Sequence, residues 1–193
     1  MRNTNYPRLI ARVILVYSLI AIAGVRVSSQ ERESARAGLS GRWQINRELS
    51  ENAQQKIDRM QSSQGHGPGR HGLGGIFGRL FGGGDMQEAR RMLLDAPTSF
   101  TLAQDGNRIV LTGSDGRVRM LTANGQKEKL NGRDVLTKWD GPRLVSETTI
   151  GDVRVTDTFE HSATARQLIV TTRMDMREHG VSVRRVYDAE RPR

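Results

Sequence analysis

Four histidines and one short run of ionisable residues are the groups in this chain best suited to chemistry. They are His66, His71, His161 and His179, and the run Asp157, Glu160, His161. His66 and His71 stand five apart in a glycine-rich stretch, and the next acid along the chain is Asp85. Two imidazoles without a third ligand do not assemble a metal centre. Asp157 and Glu160 are three apart in an extended segment, so their carboxylates point to opposite faces and cannot share a proton. Asp175 and Glu178 flank a turn and read as solubilising charges. The chain has no cysteine, which excludes disulfides, thiol catalysis and cysteine-bound zinc. No strained serine elbow, phosphate-cradling loop or zinc-protease helix is present. The expectation is a protein with no catalytic residue, no metal and no cofactor.

What remains is apolar and basic chemistry. Ile76, Phe77, Leu80 and Phe81 form an apolar group inside a stretch where ten of the 22 residues from 63 to 84 are glycine. Such a group reads as a patch for a membrane surface or a partner, as a gate, or as a loop folded back on the core. The formal net charge is +9, and Arg2, Arg8, Arg12 and Arg26, ahead of residue 30, supply four of those charges. The other basic residues are scattered and have no aromatic side chains between them. A nucleic-acid partner is therefore not expected.

The leader explains those first arginines. Residues 13–25 are uncharged and almost wholly apolar, and they follow a basic, acid-free segment. The run is shorter than the span of about 20 residues that crosses a bilayer. This is the pattern of a signal segment, either removed on export or kept as an anchor. Ala23, Ser29 and Ala37 each end a weak cleavage pattern. The expected organisation is a leader at 1–29, a solvated linker at 30–38 and a single domain at 39–190, with the glycine-rich insert at 63–84. The expected location is outside the cytoplasm, in a periplasm or secreted, and membrane-held if the leader stays.

The domain itself reads as strands and turns. Trp43 and Ile45 alternate with Arg42 and Gln44 over 39–46, the period of a strand with one buried face. Leu49, Ala53, Ile57 and Met60 then fall on one helical face. Asp85 to Glu88 resembles a capping box that opens a second helix, with Met86, Ala89, Leu93 and Leu94 apolar and Pro97 as its stop. From Ser99 onward, Asn-Gly and Asp-Gly turns punctuate short strands so closely that no crossover helix fits between them. Consecutive strands should pair antiparallel in sequence order, giving nine or ten in all, and so long a sheet tends to curl. Alternation puts Val135, Thr137 and Trp139 on one face, with Val153, Val155, Phe159, Leu168 and Val170. The expected class is mainly β: an antiparallel up-and-down meander with two short helices inserted after the first strand.

Three elements carry a family resemblance. Gly41-Arg-Trp43 resembles the Gly-x-Trp opening of lipocalins, and Thr156-Asp157-Thr-Phe159 is similar to their mid-barrel Thr-Asp-aromatic element. Arg184 or Arg185 on the last strand resembles the arginine that packs over the opening tryptophan and latches the two ends. The wider pattern, from Gly41-Arg-Trp43-Gln-Ile-Asn46 to Arg185-Val-Tyr-Asp188, is similar to a group of uncharacterised bacterial exported proteins. The resemblance implies a curved sheet or lipocalin-like barrel holding a small apolar ligand or lipid. Val135, Trp139, Val155, Phe159 and Val170 would line its cavity, and Trp43, Arg184 and Arg185 would form its latch. The other reading is a structural or interaction protein that works through its surface and the insert.

Overall fold

A computed structural model describes residues 36–63, 84–176 and 179–190. The leader, most of the insert, His66, His71 and the group Ile76, Phe77, Leu80 and Phe81 lie outside the described residues.

Among the described residues the chain forms β1 (Gly41–Asn46), α1 (Ala53–Ser63), α2 (Gly84–Leu94) and then nine further strands. These are β2 (Ser99–Asp105), β3 (Arg108–Gly113), β4 (Val118–Thr122), β5 (Lys127–Leu130) and β6 (Arg133–Asp140). β7 (Arg143–Ile150), β8 (Val153–Ser162), β9 (Gln167–Met176) and β10 (His179–Ala189) complete the set. All ten pair antiparallel in one sheet, in the order β4-β3-β2-β1-β10-β9-β8-β7-β6-β5. This is the expected mainly β meander, with two short helices after the first strand. The turns follow the local chemistry: Asn131 and Gly132 both have positive φ, 52° and 81°, the pair that a type I′ hairpin between β5 and β6 requires.

The expectation of pairing in strict sequence order fails at one place. β4 and β5 are consecutive yet form the two edges of the sheet, and the sheet closes at its middle through β1 and β10. The connection between the edges directs its backbone elsewhere. Ala123 N–H donates to Asn107 O on one side, and Gly125 N–H donates to Thr137 O on the other. The Asn124 carboxamide accepts from Gln126 N–H. These bonds splay the two strands, and the Glu128 carboxylate accepts from Thr122 N–H and its hydroxyl across the seam.

The helices also depart in detail from their sequence patterns. α1 begins after Asn52, whose side chain accepts from Gln55 N–H at 3.1 Å. Leu49 therefore precedes the helix and is exposed, while Ala53 and Ile57 are buried. Glu88 does not reach back to cap α2. Its carboxylate pairs with Arg133 on β6, so a cross-link to the sheet replaces the capping box. Met86, Ala89 and Leu93 are buried as their spacing predicts. Among the described residues no helix is long and apolar enough to cross a membrane.

Two apolar clusters fill the concave side. The first gathers Trp43, Phe100, Leu102, Ile109, Leu121, Val135, Leu144, Phe159, Leu168, Val170 and Tyr187, with Leu39 beneath them. The second lies under the helices and gathers Ile57, Met86, Leu93, Ile150, Val153, Val155, Met174, Val181 and Val183, among others.

Candidate functional site

Between the clusters the inward side chains turn polar. On β8, Asp157 separates Val155 of the helix-side cluster from Phe159 of the other. On β9, Thr172 separates Met174 from Val170, and on β10, Arg185 separates Val183 from Tyr187. On β7, Ser146 and Thr148 stand between Leu144 and Ile150. All of these polar groups are buried. The strand period places them: each shares the parity of its apolar neighbours, so each must point inward.

Register then joins them. Thr137, Ser146, Asp157 and Thr172 are successive cross-strand partners on β6 to β9. The Thr172 hydroxyl donates to Asp157 Oδ1 at 2.8 Å, and the Thr137 hydroxyl donates to Ser146 Oγ at 3.1 Å. Arg119 reaches in from the edge strand β4, across the seam. It donates to Asp157 Oδ2 at 2.7 Å and to Ser146 Oγ at 3.1 Å. One ion pair thus ties β4 to β8, two strands that share no ladder.

Arg185 is the second cation of this belt. Its guanidinium donates to the Leu93 carbonyl at the end of α2, and among the described residues no carboxylate is in ion-pair contact with it. Burial pushes its pKa down, and the fields of Tyr187 and Asp157 oppose that shift. Tyr187 donates its hydroxyl to Pro97 O at 3.3 Å and stacks edge-on to Phe100, with ring centroids 4.9 Å apart. Burial pushes its phenol up to about 12; the nearby Arg185 works against this and Asp157 adds to it. Among the described residues, Asp157 and Arg185 are the buried charged side chains. Half-buried Arg119 joins them, so Arg119, Asp157 and Arg185 together carry one positive charge in excess.

The residues expected to line one cavity divide between the two clusters. Val135, Phe159 and Val170 belong to the first, and half-buried Trp139 packs against it. Val155 belongs to the second. The expected latch is not made by its arginines. The β1–β10 ladder runs from Trp43 opposite Ala189 to Asn46 opposite Val186, so Arg184 and Arg185 lie past the end of β1. Arg184 is exposed, and its backbone N–H donates to Glu51 Oε2. Trp43 instead donates its indole N–H to Leu39 O at 3.0 Å and meets the edge of His161. The arginine that does cover an indole is Arg36, 4.9 Å over Trp139, with its Nε donating to Gly141 O.

Sequence reasoning passed over the belt, although a signal for it exists. Asp157 and Arg185 share strand parity with Val155 and Val183, and that alone marks them as inward charges. Glu160 is exposed, on the face opposite Asp157, as its spacing predicts. His161 lies below the first cluster. Burial lowers its pKa, and among the described residues its buried Nδ1 has no hydrogen-bond partner. Among the described residues no group of histidine, aspartate and glutamate could hold a metal.

No protein-family model and no curated protein matches this chain. Solved structures do resemble it. A fatty acid binding protein of Schistosoma mansoni in complex with arachidonic acid is 12% identical, with a TM-score of 0.49 over 81% of this chain and 99% of its own. The zebrafish ileal bile acid-binding protein complexed with cholic acid is 11% identical, with a TM-score of 0.45 over 79% of this chain and 99% of its own. A secretory abundant heat soluble protein from Ramazzottius varieornatus is 14% identical, with a TM-score of 0.45 over 79% of this chain and 95% of its own.

Proposed function

We propose that this protein binds an amphiphilic small molecule, with its apolar body against the two clusters and its anionic head group at the polar belt. The observation that carries this reading is Arg185. Among the described residues its buried guanidinium has a backbone carbonyl as hydrogen-bond partner and no carboxylate in ion-pair contact, so the field of Asp157 offsets its charge only in part, and such a charge is costly unless something pairs with it. An incoming carboxylate supplies that pairing. The reading names no reaction.

Calorimetric titration with decanoate and decanol tests this. Decanoate should bind more tightly than decanol. Arg185→Met should weaken decanoate by about ten- to a hundredfold, the worth of a hydrogen bond to a charged group, and leave decanol unchanged. If neither molecule binds, a surface role replaces this reading. Val118 and Met120, both exposed on the unpaired edge β4, favour that alternative. The basic and apolar leader supports export as the setting, and intact-mass measurement of the protein from an expressing bacterium tests that: a chain shortened near residue 23, 29 or 37 is expected.

A further inference from the structure

We propose that Asp157 makes the interior selective for head groups carrying a single negative charge, and so against dianions such as phosphate monoesters. This rests on the reading of the interior as the binding site. The charges decide it. Arg119 and Arg185 bring two positive charges to the belt, and Asp157 returns one negative charge through its contact with Arg119. A monoanion at Arg185 neutralises what is left. A dianion leaves one negative charge unpaired among Val155, Phe159, Val170 and Val183, where an uncompensated charge is costly.

Geometry makes Asp157 a fixed part of this balance. Both of its carboxylate oxygens are engaged, one by Arg119 at 2.7 Å and one by Thr172 at 2.8 Å. Its strand parity and its partners on β7 and β9 keep it inward. It therefore cannot swing away to make room for a second ligand charge. Arg119 is anchored in turn by Ser146, so it is not free to leave Asp157 for the ligand without giving up both bonds.

The probes are decanesulfonate, a monoanion at every working pH, and decyl phosphate, which gains its second charge near pH 6 as other phosphate monoesters do. Both are titrated into the full chain below their micelle concentrations at pH 5.5 and pH 8. Decyl phosphate should lose about tenfold or more in affinity at pH 8, the scale on which a neighbouring like charge acts, while decanesulfonate stays level. In Asp157→Asn that loss should disappear. Should the variant not fold, the two-pH comparison on the unaltered protein decides alone. Equal binding of both probes at pH 8, or an unchanged ratio in a folded Asp157→Asn, overturns the proposal and leaves amphiphile binding standing. Failure of both probes, and of decanoate, removes the binding reading and this proposal with it.

Discussion

At one end of the wrapped sheet the core holds Trp43, Phe100, Phe159 and Tyr187, and strands and the turn at Arg36–Ser40 enclose it. At the other end no aromatic side chain of the described residues takes part, and the cover is two helices carrying Ala53, Ile57, Met86, Ala89 and Leu93. The two ends are therefore held differently. Aromatic rings bury large areas and constrain one another's angles, as the edge-on pairs Phe100–Tyr187 and Trp43–His161 do here. Thioether side chains such as Met86 and Met174 adapt to irregular gaps more readily. The aromatic end should therefore be the stiffer of the two.

Breaking the aromatic end should cost most. Trp43→Ala removes a buried indole and its bond to Leu39 O, and urea unfolding should show a loss of about 3–5 kcal/mol. A loss under 1 kcal/mol would mean that this end is not the rigid one. A matched pair sharpens the contrast. Leu144→Ala, at a fully buried site among strands, should cost about 4 kcal/mol, and Met86→Ala, under a helix at the edge of the second cluster, about 2 kcal/mol. Equal losses would erase the distinction between the two ends. Smaller again is Asn52→Ala, which removes the cap of α1. About 1 kcal/mol is expected from thermal unfolding, with the aromatic end untouched in near-ultraviolet circular dichroism.

The smallest expected effect is one of pH. Burial holds His161 below its ordinary pKa of 6.5 in the folded protein. The unfolded chain then takes up the proton first, so stability should fall as pH drops through 6.5 and level off below the folded value. His161→Gln should flatten that slope. A wild-type slope of the opposite sign would show that Nδ1 finds an acceptor on protonation.

Much of this architecture was legible in the sequence because the signals are local. Asn131-Gly132 needs no distant residue to make its turn, and the alternation in Val153, Val155 and Phe159 names its own buried face. The seam was not legible. Asn124-Gly125 has the same composition as the Asn131-Gly132 hairpin turn, yet the backbone around it bonds to Asn107 and Thr137 on either side, and β4 does not pair with β5. The latch failed for a similar reason: where β1 ends relative to β10 depends on register, and Arg185 falls outside it. The polar belt lay between these cases. Parity could place Asp157 and Arg185 inside, but their partners, Arg119 and Leu93, are set by curling and helix placement that no short pattern encodes.

The ladder between β1 and β10 also shapes how the chain comes together. Asn46 and Asp188, bonded at 2.8 Å, are 142 residues apart in sequence. Strands β1 to β4 form one meander of neighbours, and β5 to β10 form another. The runs β2 to β4 and β5 to β10 can each zip up early, because their contacts are local and their loops are short, whereas residues 47–98 separate β1 from β2. The halves acquire a common ladder only when β10 meets β1, so on a ribosome still short of Tyr187 they lack the ladder that joins them.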